Sequence, residues 1–127
     1  IEALAEQHPQ ALAVYFLWYP LDMHPHAEPK ARVLSCAPAE RQPELFEALK
    51  PAKPEDVSAA LTALREAQVA VGQGVARCAK QGKGSLARDR ELARQGRVTG
   101  TPSVYFRGDL YRGFPEPAIR QALEEAE

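Results

Sequence analysis

Residues 97–106 read RVTGTPSVYF, and this stretch decides the fold that the sequence predicts. Gly100, Thr101 and Pro102 stand immediately before a run of β-branched and aromatic residues, which favours a strand over residues 103–106. Proline cannot donate to a strand ladder, so it is accepted at the first residue of a strand or on an edge. Pro102 therefore marks either an ordinary junction between turn and strand or a cis peptide bond, which about 5–6% of X-Pro bonds adopt.

The residues that follow predict a β-β-α ending. Arg107-Gly108-Asp109 is expected to be a tight turn before a return strand at Leu110–Arg112, because glycine and aspartate tolerate positive φ. Gly113 breaks that return strand. Residues 115–123 predict a helix, since proline stands near its first turn and apolar residues recur at positions 118, 119, 122 and 123.

The segment 97–117 resembles the cis-proline loop and the chain ending of thioredoxin-fold proteins. Its string Gly113-Phe114-Pro115-Glu116-Pro117 is most similar to the bacterial Dsb family, and within it to periplasmic disulfide isomerases of the DsbC/DsbG type. The resemblance implies a cis bond before Pro102 and a loop whose backbone pairs with an extended substrate chain. Thr101 and Pro102 are then the substrate-binding residues, and no other positions carry over to the family's active site.

Length and charge limit the classes of function. The chain has 127 residues, 45% of them hydrophobic, which suits one globular domain. Its 16 basic and 17 acidic residues give a net charge of −1, so nothing points to nucleic acid or to an anionic membrane surface. The longest apolar run, residues 11–19, is far shorter than the roughly 20 residues of a membrane-spanning helix.

The resemblance also implies that the thioredoxin-like fold is N-terminally incomplete. A complete fold has a strand and a helix bearing Cys-x-x-Cys ahead of this sequence, and Glu2 to His8 is expected to be the end of a helix. Residues 11–19, ALAVYFLWY, carry no charge and predict a central strand buried on both faces. The expected fold class is α/β, a single thioredoxin-like domain over residues 1–127 with a helical insertion at about 27–95.

Helical periodicity and helix-ending residues predict the elements of that insertion. The expected helices cover residues 27–37, 43–50, 55–71, 75–78 and 86–95. Among them 55–71 carries the clearest apolar stripe, and Ser85 is a good N-cap for 86–95. The charged residues around Arg88, Asp89 and Arg90 are interpreted as a solvated helix face.

Cys36 and Cys78 are 42 residues apart, which excludes a Cys-x-x-Cys motif. On composition alone they could be two buried small hydrophobic residues. In DsbC-like isomerases a second, non-catalytic disulfide ties the helical subdomain together, so the resemblance implies a structural Cys36–Cys78 disulfide and an oxidising compartment. The catalytic cysteines themselves are not in this sequence. His24-Pro25-His26 is interpreted as a loop with surface histidines, and neither a metal nor a cofactor is expected.

The function implied is part of a periplasmic thiol:disulfide oxidoreductase or isomerase that acts on exported proteins. Unfolded or misoxidised exported proteins would be the substrates, and a redox protein of the membrane would be a further partner. The string around Pro20 and Ala27 also resembles DsbA-type oxidases, so the choice between oxidase and isomerase stays open. The alternative is a non-catalytic thioredoxin-like module that binds extended peptides beside Pro102.

Overall fold

Seven α-helices, a short 3₁₀ helix and a two-stranded sheet make up residues 2–21 and 23–126, the part of the chain that the computed structural model describes. The helices are α1 (Glu2–Gln7), α2 (Ala27–Leu34), α3 (Gln42–Leu49), α4 (Val57–Glu66), α5 (Gln73–Gln81), α6 (Leu86–Gln95) and α7 (Glu116–Ala126), with the 3₁₀ helix at Ala39–Arg41. The strands are β1 (Ser103–Phe106) and β2 (Asp109–Arg112). None of the described helices combines the length and the apolar character needed to cross a membrane.

These elements fall into two compact units. The helical unit is Leu17–Gly96 and contains helices α2 to α6. The hairpin unit combines Ile1–Phe16 with Arg97–Glu127, and so brings α1 together with β1, β2 and α7. In the sequence, the helical unit is thus one continuous segment that separates the two segments of the hairpin unit.

The helical unit is built on the apolar faces of α2, α3 and α4. Its fully buried side chains include Val33 of α2, Leu45 and Leu49 of α3, and Leu64 of α4. Burying a valine or leucine side chain stabilises the folded state by about 1.5–3 kcal/mol, so these four residues contribute much of the stability of the helical unit.

Helix α4 is shorter than its apolar stripe predicts, because capping residues define both of its ends. Asp56 accepts a hydrogen bond from the N–H of Ala59 at 2.8 Å, which fixes the N-terminus. At the C-terminus Gln68 has φ +61°, and the N–H of Val69 donates to the carbonyl of Leu64 at 2.9 Å. This is a Schellman cap with glutamine in the place that glycine usually takes, so the sequence gives no signal for the helix end.

The predicted central strand over residues 11–19 is wrong. Residues 12–21 have no regular secondary structure, and Tyr15 is 88% exposed where a strand buried on both faces was expected. An extended segment becomes a strand only when a neighbour completes its hydrogen bonds. Within the described residues β1 and β2 pair only with each other, so an apolar, β-prone composition does not suffice to make residues 11–19 a strand.

A disulfide joins Cys36, just after α2, to Cys78 in α5, with their Cα atoms 5.9 Å apart. Helix α5 depends on this disulfide for its attachment to the helical unit, because Ala79 is its only fully buried residue. Val75 and Ala76 add partial apolar contacts with the core of the helical unit. Gly84 also lies against this junction, since a Cβ on it would come within 2.9 Å of the Cys36 sulfur.

The hairpin unit has a small apolar core of its own. Ile119 and Leu123, one helical turn apart on α7, are buried together with Leu4 of α1. Phe106 of β1 and Leu12 pack against this cluster and are partly buried. Phe106 therefore places one face of the hairpin against this apolar cluster.

Replacing both cysteines by serine is expected to release α5 while the rest of the helical core persists. Closing a loop with this sequence separation of 42 contributes up to about 4 kcal/mol of stability. The apolar contacts of α5 are too few to replace that contribution. Hydrogen exchange should show faster exchange for α5 amides in Cys36→Ser/Cys78→Ser, with the amides around Leu64 in α4 still protected. Unchanged protection of α5 in the double variant would contradict this account.

Candidate functional site

The register of the hairpin determines which backbone groups of β1 point toward β2 and which point away from it. Phe106 pairs with Asp109 across the turn, and Val104 pairs with Tyr111. In an antiparallel pair joined by a two-residue turn these are the hydrogen-bonded pairs. Ser103 and Tyr105 occupy the alternate positions, so their N–H and C=O groups point away from β2, toward the open edge of β1.

The turn itself is formed by Arg107 and Gly108, with φ values of +51° and +85°. Positive φ at both central residues is the type I′ geometry whose twist matches a two-stranded hairpin. The prediction placed the positive φ on Gly108 and Asp109, whereas Asp109 is the first residue of β2. The turn thus begins at Arg107 as predicted and ends one residue earlier than predicted, and an arginine takes the first left-handed position.

Thr101 and Pro102 extend the line of β1 by two residues. Both are exposed, and the peptide bond between them is cis. The carbonyl of Pro102 accepts a hydrogen bond from the N–H of Gly113 at 3.0 Å, which continues the ladder one step past β1. Ser103 fixes the other side of the loop, since its hydroxyl donates to the carbonyl of Gly100 at 2.7 Å. The two predicted substrate-binding residues therefore lie at the end of an open strand edge, and two hydrogen bonds hold that end in place.

The two edges of the hairpin differ in their chemistry. Strand β2 begins with Asp109 and ends with Arg112, and charged side chains on an edge strand discourage pairing with another chain. Strand β1 reads SVYF and carries no charge. The edge that continues into Thr101 is thus the one without charged side chains, and it is the better template for an added strand.

The cysteines provide no thiolate. Cys36 and Cys78 are the only two cysteines in the sequence, and they are bonded to each other in the helical unit. A thiolate is the nucleophile of thiol–disulfide exchange, so this chain contributes none while the bond is intact. The chemistry available at Thr101 and Pro102 is main-chain hydrogen bonding.

The described histidines do not build a metal site. The ring of His26 donates from Nδ1 to the carbonyl of Pro54 at 3.0 Å, which fastens the loop before α2. Groups of three or more His, Cys, Asp or Glu that could hold a metal do not occur among residues 2–21 and 23–126. In the same helical unit, burial lowers the pKa of the Lys30 ammonium from its ordinary value of 10.5.

Asp89 is the polar residue that the sequence interpretation missed. The solvated face predicted around it is wrong at this position, because Asp89 is only 1% exposed. Its Oδ2 accepts hydrogen bonds from the backbone N–H of Trp18 at 3.2 Å and from the hydroxyl of Ser85 at 3.0 Å. Asp89 therefore anchors the first residues of the helical unit to α6. The pair Ser85 and Asp89, one turn apart at a helix start, was the only signal for this role.

Comparison with known proteins adds no family assignment. Searches against protein-family models, curated proteins and solved structures gave no match for the chain. The β1 edge and the residues that border it are therefore the features that indicate a function.

Gly113 should tolerate alanine poorly, because its φ is +100° and its N–H holds the carbonyl of Pro102. An L-residue in left-handed backbone costs roughly 1–2 kcal/mol, so Gly113→Ala is expected to lower the free energy of unfolding by about that amount. Gly74→Ala is the matched control. Gly74 lies inside α5 with open space around it, and alanine in place of glycine in a helix adds up to about 1 kcal/mol. Urea unfolding of both variants should give opposite signs, and an unaffected Gly113→Ala would contradict the role given to this residue.

Proposed function

We propose that this chain is the peptide-binding part of a thioredoxin-fold thiol:disulfide interchange protein and that it binds extended segments of exported proteins along β1. The observation that carries the proposal is the uncharged open edge of β1, continued by exposed Thr101 and Pro102. Peptide binding at such an edge uses main-chain hydrogen bonds for affinity. This mode accepts many sequences, as a protein acting on unfolded or misoxidised chains requires.

The backbone groups of β1 that point away from β2 are spaced as a strand requires. Ser103 and Tyr105 are two residues apart on β1, and their outward N–H and C=O groups repeat at the interval at which an added strand presents its own. Thr101 stands two residues before Ser103, so it extends the same row. No hydrogen bond joins the backbone of Thr101 to another residue in the described part of the chain. A bound peptide would therefore run past three residues of this edge.

The exchange reaction itself needs a thiolate from outside this sequence. In the proposed protein a Cys-x-x-Cys pair attacks the substrate disulfide, and the β1 edge holds the substrate chain in position beside it. The Cys36–Cys78 bond supports a periplasmic, oxidising location, since such bonds persist in exported proteins and are rare in reducing compartments. A redox protein of the membrane is the proposed partner that restores the active-site disulfide or thiols.

The second candidate is a non-catalytic peptide-binding module with the same β1 edge. It is favoured by one observation, namely that both cysteines of the chain are held in a disulfide. The two candidates agree on where the peptide binds and differ in whether a thiol-bearing segment belongs to the complete protein. The roughly forty codons upstream of residue 1 distinguish them, because they either encode a strand followed by Cys-x-x-Cys or do not.

The edge is tested by removing one outward N–H from each strand in turn. Proline is tolerated in an edge strand where its missing N–H faced outward, so Ser103→Pro alters the β1 edge and Leu110→Pro makes the matched change on β2. The probe is the peptide Ser-Thr-Val-Thr-Val-Thr-Ser with blocked ends, titrated into labelled protein by NMR. The lost outward hydrogen bond, the bulk of the proline ring and the loss of the hydroxyl that donates to Gly100 should together weaken binding to Ser103→Pro by about tenfold.

Binding to Leu110→Pro should equal that of the unaltered chain within about twofold. The same peptide with alternate backbone nitrogens methylated on its pairing side should not bind, whereas methylation on its other side should have little effect. Equal losses of affinity in the two proline variants would exclude main-chain pairing at β1. Binding that is unaffected by N-methylation of the peptide would exclude it as well.

A further inference from the structure

The face of the hairpin opposite Phe106 carries an ordered set of side chains. Directly paired residues of an antiparallel sheet share a face, as do residues two apart along a strand. Ser103, Tyr105, Leu110 and Arg112 therefore lie on one face, because Ser103 pairs with Arg112 and Tyr105 with Leu110. Phe106 alternates to the opposite face and contacts the apolar core of the hairpin unit. The face opposite it is called here the outer face.

Exposed apolar and cationic groups lie side by side on the outer face. Tyr105 is 54% exposed and Leu110 is 39% exposed, and they form a cross-strand apolar pair. Arg112 is exposed, and no ion pair links it to a carboxylate in the described part of the chain. The nearest acidic residue along the hairpin, Asp109, pairs with Phe106 and so belongs to the opposite face. The outer face therefore presents an apolar pair with one positive charge next to it.

The small side chain of Ser103 leaves room for the Arg112 side chain to reach over β1 to its open edge. Neighbouring strands are about 4.8 Å apart, so a peptide on that edge would be about 9.6 Å from β2. Ser103 is the residue of β1 directly between Arg112 and such a peptide, and it is the smallest side chain on the outer face. Arginine extended over serine and a glutamate extended from the peptide together span this distance.

We propose that the outer face selects extended peptides in which an aromatic residue and an acidic residue are two positions apart. This inference rests on the proposed function, because it needs the peptide to lie on the β1 edge. The aromatic side chain of the peptide packs beside Tyr105, and the carboxylate two residues away pairs with Arg112. Residues two apart in a strand share a face, so both contacts are made at once only when the peptide has this spacing.

The test compares two blocked peptides of identical composition. The first is Ser-Glu-Thr-Phe-Thr-Glu-Ser, in which both glutamates share a face with phenylalanine. The second is Ser-Thr-Glu-Phe-Glu-Thr-Ser, in which the glutamates are on the opposite face. Each sequence reads the same in both directions, so the comparison holds whether the peptide runs parallel or antiparallel to β1. NMR titration at low ionic strength should give a dissociation constant about two- to fivefold lower for the first peptide, as expected for an exposed ion pair.

Arg112→Gln should abolish the preference by weakening only the binding of the first peptide. Arg65→Gln is the matched control, since Arg65 is an exposed arginine of α4 in the helical unit and its loss changes the net charge equally. Salt at about 1 M should also remove the preference, because it screens exposed charges. Tyr105→Ala should weaken both peptides, since the aromatic contact is common to them.

The outcomes separate this inference from the function on which it rests. Equal affinity of the unaltered chain for the two peptides would overturn the selectivity and leave peptide binding at β1 in place. A preference that survives in Arg112→Gln would likewise overturn it. If neither peptide binds, and the threonine-valine peptide does not bind either, the peptide-binding edge and its selectivity are both wrong.

Discussion

The hydrogen bond from the N–H of Gly113 to the carbonyl of Pro102 is the contact on which the candidate site depends. It continues the β1–β2 ladder beyond its last strand pair, Ser103 with Arg112, although proline cannot donate a bond in return. The single bond is made possible by Gly113, whose φ of +100° suits glycine and few other residues. Through it the loop carrying Thr101 is held in line with β1, so that an open strand edge is longer than the strand itself.

The two units have different features: the helical unit has the larger apolar core and the disulfide, and the hairpin unit carries the candidate peptide-binding edge. The helical unit has a leucine-rich core and the Cys36–Cys78 disulfide, and its buried Asp89 holds the backbone of Trp18. These features explain how residues 17–96 keep their structure, and none of them offers a thiolate. The hairpin unit has a smaller core and carries the open edge of β1. The residues proposed to bind a peptide therefore all belong to the hairpin unit.

Local signals in the sequence were enough for elements whose ends are fixed by their own residues. The strand at Ser103–Phe106 and the helix at Leu86–Gln95 were predicted with the bounds that the structure has, because Pro102, Ser85 and Gly96 stand next to their ends. The expected cap bond of Ser85 is not formed, since its hydroxyl donates to Asp89 instead. Predictions from the sequence were wrong where the structure depends on contacts with residues elsewhere in the chain. Residues 11–19 have the composition of a strand but form none, and α4 ends at a glutamine that adopts a glycine-like conformation. The burial of Asp89 and the role of Gly113 depend on contacts distant in sequence, which no local pattern reveals.

The central claim, that an extended chain pairs with β1 through main-chain hydrogen bonds, is tested most directly by amide hydrogen exchange of the hairpin with and without a bound peptide. The N–H groups of Ser103 and Tyr105 point to the open edge, whereas those of Val104 and Phe106 are already bonded to β2. The account predicts that a saturating peptide slows exchange at Ser103 and leaves Val104 and Phe106 nearly unchanged. Slower exchange at Leu110 and Arg112 instead, or equal slowing along the whole of β1, would contradict it.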